Sequence, residues 1–284
     1  MLHHTTPIRY CRRMAVKSPA PRSLPRILAV ANQKGGVGKT TTCVNLGACL
    51  AELGFRVLIV DLDPQGNASS ALGIDVKQVE ATIYNVLMDP EERIEDCIES
   101  TAFFGLMVAV SNSDLIGVER ELNGEFDAHL RLKNALDPLV DEWELDFVLI
   151  DCPPALGILT INALFAAREV LVPVQCEGGF HVDALSGIED LVKRVQKNNS
   201  ALEITTFVGT MYDAKTNLSN DVYNDVAKRF GSKVCETKIP RNVRLAEAVS
   251  HGQPINVYDP ASKGSIAYRL VAKEVAGGAT PRSR

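Results

Sequence analysis

Arg26-Ile27-Leu28-Ala29-Val30-Ala31-Asn32-Gln33-Lys34-Gly35-Gly36-Val37-Gly38-Lys39-Thr40-Thr41-Thr42 is the stretch from which the fold can be read. Ile27 to Ala31 is an apolar run of strand length, and Cys43 to Leu53 has the apolar spacing of a helix, so the glycines fall between a buried strand and a helix. Glycines there let the backbone turn its N–H groups inward. The helix start behind them adds a positive dipole end, so a polyphosphate can be held largely by main chain. Lys34, Gly35, Gly36, Val37, Gly38, Lys39, Thr40 and Thr41 are the candidate nucleotide contacts. Lys39 is placed to reach the outer phosphates and the Thr40 hydroxyl to ligate magnesium.

The loop departs from the usual G-x-x-x-x-G-K-[ST] pattern. Counting back from Gly38, the first glycine position is occupied by Gln33, and Lys34 opens the loop instead. Two lysines this close repel one another unless an anion lies between or beside them. If Lys39 serves the nucleotide from inside, Lys34 points outward, toward phosphate on a nucleotide held by a second subunit. The alternative is a glycine turn carrying two solvated lysines.

Working outward, Val57 to Val60 reads as a second buried strand ending at Asp61, with Asp63 in the tight turn Asp63-Pro64-Gln65-Gly66. Phe147 to Ile150 is a fully apolar strand that delivers Asp151 and is then stopped by Pro153 and Pro154. Ligands of open α/β sheets bind beyond the carboxyl ends of strands, so these aspartates arrive on the edge that carries the loop. Asp151 suits a magnesium site, and a carboxylate at Asp61 or Asp63 can hold magnesium through water or orient an attacking water. Further strands are expected at Leu106–Val110, Glu169–Val174, Ile204–Met211 and, last and short, Val234–Ile239. Helices are expected over Leu115–Leu122, Leu130–Val140, Asn220–Phe230 and Ser265–Val275. Alternating strands and helices with phosphate chemistry at strand ends imply an α/β fold, a mostly parallel twisted sheet with helices on both faces.

K-G-G-V-G-K-T over Lys34–Thr40 resembles the deviant Walker A motif of the ParA/MinD family of dimeric ATPases, and Asp61-Leu62-Asp63-Pro64-Gln65-Gly66-Asn67 resembles its ParA (Soj) branch. Ile150-Asp151-Cys152-Pro153-Pro154 and Pro240-Arg241-Asn242-Val243-Arg244 match further family segments, and the likeness runs from about Arg26 to about Val275. The resemblance implies a P-loop ATPase using ATP and Mg2+, with catalytic roles for Lys34, Lys39 and Asp63 and with Thr40, Asp63 and Asp151 at the metal. It implies an ATP-dependent homodimer in which Lys34 acts across the subunits. It also implies non-specific double-stranded DNA binding through positions matching Lys215 and Arg244, and stimulation by a ParB-type partner at a centromere-like site. Nothing marks a built-in arginine finger, whose lack costs about 10³ to 10⁵ in rate, so slow intrinsic turnover is expected. A MinD-like regulator of division at a membrane is the alternative within the family. The passage after Glu177 departs from relatives: the Ala184-Leu185-Ser186-Gly187 equivalent starts later, in a region near the dimer face.

With 284 residues, 46% of them hydrophobic, the chain can bury a large core, and residues 26–284 are expected to form one domain. Seven cysteines without a C-x-x-C pair argue against a disulfide scaffold or a zinc site and for reduced core thiols in a cytoplasmic protein, and the resemblance implies association with the nucleoid. No apolar run is long enough to cross a bilayer. A net charge of −5 requires any DNA contact to come from a local basic patch. From Met211 to Arg244 seven lysines and arginines, Arg241 among them, stand against four acids, and Lys215, Arg241 and Arg244 are the candidate DNA contacts. Residues 1–25 contain arginines and a lysine but no acid, with Pro19, Pro21 and Pro25 against any helix, and predict a disordered basic tail. The alternatives are that the tail touches DNA or an anionic surface, that translation begins at Met14, or that the tail does nothing; its arginine-rich, acid-poor start also resembles an organelle transit peptide.

Overall fold

The computed structural model describes residues 24–122, 124–177 and 185–282; the expected basic tail up to residue 23, His181 and most of the 177–184 departure lie outside them. Seven strands form a single sheet: β1 (Arg26–Val30), β2 (Val57–Asp61), β3 (Ile98–Ser100), β4 (Leu106–Ala109), β5 (Phe147–Asp151), β6 (Glu169–Gln175) and β7 (Glu203–Thr210). Their order is β3-β4-β2-β5-β1-β6-β7, parallel throughout except for the antiparallel edge pair β3–β4. β1, β2 and β5 are buried along their whole length, which is why they read as unbroken apolar runs rather than alternating ones.

Successive side chains still leave on opposite faces. Ile27 and Ala29 join one core with Leu58, Val60, Val148 and Ile150, while Leu28 and Val30 join the other with Val57, Ile59, Phe147 and Leu149. The first core is covered by α3 (Ile83–Met88), α4 (Val118–Glu121), α5 (Arg131–Glu142), α6 (Ile158–Ala166), α7 (Ser186–Val195) and α8 (Asn217–Phe230). The second lies under α1 (Lys39–Glu52), α2 (Asn67–Ala71), α9 (Val243–Ser250), α10 (Ile255–Tyr258) and α11 (Lys263–Ala276). α1 packs along α11, and the Thr42 hydroxyl meets that of the fully buried Tyr268 at 3.2 Å.

The expected strand at Val234–Ile239 is not formed. Only isolated bridges pair Phe207 with Val234 and Tyr212 with Pro240. Between them the backbone N–H groups of Glu236 and Thr237 donate to the Glu274 carboxylate at 2.7 and 2.9 Å, so a side chain from α11 takes the donors that a ladder needs. The expected helix at 115–122 is a 3-10 turn, Ser113–Ile116, followed by the short α4.

Register delivers the acidic residues together. Asp61 stands opposite Asp151 across β2 and β5, and Asp151 opposite Val30, the last residue of β1 before the glycine loop.

Candidate nucleotide site

The loop from Ala31 to Gly38 turns on two glycines with positive φ, Gly36 at 73° and Gly38 at 87°, a conformation that side chains with a Cβ resist. A Cβ built on Gly35 or Gly36 meets nothing within 4 Å, so both glycines border open space. The loop is held from both ends. Buried Asn32 accepts the Lys34 N–H at 3.0 Å and donates to the Pro173 carbonyl on β6 at 2.8 Å. Thr210, the last residue of β7, donates its hydroxyl to the Val37 carbonyl at 2.8 Å. α1 starts directly at Lys39, without a side-chain cap, so its first N–H groups face the loop unanswered by side chains.

Lys39 is buried, and its ammonium donates to the Lys34 carbonyl at 3.4 Å. Burial lowers its pKa, opposed by the nearby Asp151, Cys152 and Asp63. The Lys34 carbonyl is thus committed inward while the residue itself remains half-buried. Asp151 is fully buried, and neither carboxylate oxygen meets a donor in good geometry. Burial and then Asp61 push its pKa well above the carboxylate range; the neighbouring Thr40 hydroxyl works the other way.

Asp61, at the end of β2, and Asp63, in the turn after it, separate cleanly. Asp61 has no spare oxygen: Oδ2 accepts from Ser69 N and Oγ at 2.9 and 2.8 Å, and Oδ1 from Asp63 N at 3.2 Å. Burial still raises its pKa to about 6. Asp63, half-exposed, accepts only the Gln65 N–H on Oδ1 at 3.0 Å, leaving Oδ2 without a hydrogen bond among the described residues. Asp63, Asp151 and Thr40 are therefore gathered with Lys39 at one strand edge.

A metal fits this set. The orphaned oxygens of Asp151, next to the Thr40 hydroxyl, are hard donors in a place where an unpaired carboxylate is costly. Among the described residues no cluster of three or more His, Cys, Asp or Glu could hold a metal alone, which suits magnesium carried in on phosphates and water rather than an all-protein cage.

Beside Gly38 and Thr41 opens a cleft of about 550 Å³, lined by Thr210, Met211, Pro240, Arg241, Leu245 and Val249 among others. Its apolar walls continue from the phosphate loop, and it contains groups that sequence reasoning had not placed at the site: Thr210, Met211 and the apolar face of α9. Met211 has φ 50°, which turns the chain sharply at the end of β7. A strand ending beside a glycine loop was legible; which of its residues would face the loop was not.

The candidate DNA residues do not form an isolated basic island. Arg241 pairs with Glu177 at the cleft. Arg244, exposed, pairs with Glu247 at 2.7 Å and lies 3.5 Å from Asp259. Arg229 and Lys233 meet Glu189 and Glu203 at 2.6 and 3.0 Å. Counting acids only within residues 211–244 missed these partners from elsewhere in the chain. Lys215 is exposed in the turn before α8.

Six cysteines are described, and all are buried free thiols; burial pushes Cys49 and Cys97 up to about 12 and Cys176 to about 11, as suits packing rather than reactivity. No described helix is long and apolar enough to cross a membrane.

Comparison with known proteins agrees with this geometry. Residues 25–204 match a family model described as an AAA domain. The sporulation initiation inhibitor protein Soj of Bacillus subtilis is 50% identical over 252 residues, 88% of this chain and 98% of that protein. The chromosome partitioning protein ParA of Caulobacter vibrioides is 47% identical over 251 residues, 88% and 93%. Among solved structures, cobyrinic acid a,c-diamide synthase of Mycobacterium smegmatis with bound ADP and magnesium superposes with a TM-score of 0.75 at 37% identity, covering 92% of this chain and all of that one. The septum site-determining protein MinD of Pyrococcus horikoshii, complexed with Mg-ADP, gives 0.70 at 27% identity, covering 88% and 95%. With its loop, its strand-end aspartates and relatives at half identity over nearly their full length, the chain belongs to the ParA/Soj family of chromosome-partitioning P-loop ATPases.

Proposed function

We propose that the protein binds Mg-ATP at this edge, pairs with a second copy around the nucleotide, and in that form binds duplex DNA without sequence preference until slow hydrolysis releases it. The observation that carries the reading is the buried carboxylate of Asp151, without a hydrogen bond in good geometry, beside Lys39 and Thr40 at the start of the helix that follows the glycine loop. Gly35 to Thr41 wrap the phosphates with backbone N–H groups, Lys39 neutralises the outer ones, and the apolar cleft by Gly38 takes the base. Thr40, Asp151 and Asp63 would hold magnesium. When bound, the ion spreads the charge that builds on the transferring phosphoryl group. Asp63 orients the attacking water. Lys34, whose carbonyl is turned inward, sends its ammonium outward to the partner subunit's nucleotide, so nucleotide and dimer come together.

DNA phosphates reach Lys215, Arg241 and Arg244 by exchanging with the carboxylates that now hold the two arginines, giving an affinity that falls steeply with salt. A ParB-type protein at a centromere-like site supplies the acceleration that this chain's own residues lack, which would make the protein cytoplasmic and nucleoid-associated.

Sedimentation of the wild-type chain and of Lys34→Ala with ATP, with ADP and with neither, in the presence of plain duplex DNA, tests the reading. The expected result is an ATP-dependent shift to a dimer that co-sediments with DNA, lost in Lys34→Ala. A Lys34→Ala protein that dimerises and hydrolyses ATP like wild type removes the cross-subunit role. An Arg244→Glu protein that binds DNA as wild type at low salt removes the DNA face.

A further inference from the structure

Asp63 is fixed at its backbone from both sides. Its N–H donates to Asp61 Oδ1 at 3.2 Å, and its carbonyl accepts from Gly66 N at 2.9 Å and from the Ser111 hydroxyl at 2.6 Å. Ser111 is fully buried and follows the end of β4, 48 residues away in sequence, so its hydroxyl ties the turn after β2 to the neighbouring strand. The tie is anchored in turn. Ser111 N donates to Ser69 Oγ at 3.3 Å, and Ser69 holds Asp61 through both its N–H and its hydroxyl. Ser69 and Asp61 are fully buried as well. The crossing is tight: a Cβ on Gly66, whose φ is 61°, would stand 3.4 Å from the Ser111 carbonyl. Among the described residues Ser111 supplies the one side-chain donor on the Asp63 carbonyl.

We propose that Ser111 is a positioning residue for ATP hydrolysis: by pinning the Asp63 carbonyl it aims the Asp63 carboxylate at the attacking water. The inference rests on the proposed role of Asp63. Gly66 N still answers the carbonyl when the hydroxyl is removed, so the turn survives but is free to tilt, and a misplacement of about 1 Å costs up to roughly 100-fold in rate. Nucleotide binding itself, which depends on the loop and Lys39, is untouched. Loss of Ser111 thus lowers turnover and leaves ground-state affinity alone.

The experiment compares wild type, Ser111→Ala, Ser111→Thr and Asp63→Ala. Turnover, ADP affinity by calorimetry, affinity for ADP with aluminium fluoride, and amide exchange at Gly66 in the nucleotide-free protein are measured. For Ser111→Ala the expected result is turnover and fluoride-complex affinity down about tenfold, KM and ADP affinity within about twofold, and faster exchange at Gly66. Ser111→Thr, which keeps the hydroxyl, restores turnover and exchange. Unchanged turnover in Ser111→Ala, or a parallel loss of ADP affinity, overturns the proposal. Should the threonine variant fail to fold, the split between turnover and ADP affinity in Ser111→Ala, with its exchange rate, decides alone. Undiminished turnover in Asp63→Ala removes the Asp63 reading and this inference with it, whereas an inactive Asp63→Ala beside a normal Ser111→Ala removes only the inference.

Discussion

Buried charge sits at both ends of the central strands, and the two ends are built differently. At the amino end Arg26 and Glu169, each 5% exposed, meet in a double fork, Nε to Oε1 and Nη2 to Oε2, both at 2.7 Å. The guanidinium also donates to the Val275 carbonyl and lies over the Phe147 ring at 5.4 Å, while Thr205 donates to Glu169 at 2.9 Å. At the carboxyl end Asp151 has no donor in good geometry, with Thr40 only nearby, and Lys39 makes only a long contact with a carbonyl. The first cluster satisfies its charges internally and closes β1, β6 and α11 on one another. The second leaves them to be satisfied from outside, which is what a site for a charged ligand requires and what a structural ion pair avoids.

The largest effects should come from breaking the finished end. Arg26→Met or Glu169→Gln alone leaves a buried charge unpaired and should cost about 3–5 kcal/mol in urea unfolding. Replacing both, Arg26→Met with Glu169→Leu, should recover most of that loss, since a well-packed apolar pair often matches a buried ion pair. At the unfinished end the sign reverses. Asp151→Asn removes a buried carboxylate that no donor answers in good geometry, so the nucleotide-free protein should become more stable by roughly 1–3 kcal/mol. The same variant should lose the stabilisation by Mg-ATP, about 2.7 kcal/mol at a hundredfold excess over Kd, that thermal unfolding of the wild type should show. A destabilised nucleotide-free Asp151→Asn would mean that the carboxyl end is structural too.

The sequence was informative wherever one residue's neighbours in the chain determine its surroundings. Apolar runs of strand length and glycines between strand and helix are local patterns, and they gave the sheet and the loop, with Asp61 and Asp151 at strand ends; the choice of Asp63 over Asp61 came from the family resemblance. Pairing across the fold was not legible. Nothing near Arg26 announces Glu169, 143 residues away, nor does anything near Asp63 announce Ser111. The same blindness made residues 211–244 look like a basic island, because Glu177, Glu189, Glu203, Glu247 and Asp259 lie outside that window. The lost strand at Val234–Ile239 has the same cause: Cys235 and Ile239 still donate to β7, but the Glu236 and Thr237 N–H groups between them go to Glu274 on the last helix.

Thr210 tests the join between β7 and the loop. Its hydroxyl is buried against the Val37 carbonyl, and that carbonyl belongs to the segment that wraps phosphate. Thr210→Val keeps the shape and removes the donor, so stability should fall by about 1 kcal/mol. If the bond also holds the loop in its binding form, ADP affinity measured by calorimetry should fall with it; a variant that loses stability alone would assign Thr210 to the sheet rather than to the site.

The smallest effect sharpens the comparison most, because it keeps the geometry and changes only the surroundings. Glu52 and Arg269 form the same double fork as Arg26 and Glu169, Nε to Oε2 at 2.8 Å and Nη2 to Oε1 at 2.9 Å, but their side chains are 43% and 31% exposed. The hydrogen bonds from Arg269 hold Glu52 below the ordinary carboxylate value of 4.5, against a smaller upward push from burial. A depressed pKa means that the unfolded chain takes up the proton first as pH falls, so the pair's contribution is complete above 4.5 and disappears as pH drops through the folded value. With solvent screening that contribution should be about 0.2–1 kcal/mol. Urea unfolding of wild type and Glu52→Gln should differ by this amount at neutral pH and converge in acid, and added salt should shrink the gap at neutral pH. A difference as large as that for Glu169→Gln would show that the fork, and not its burial, sets the strength of the finished end.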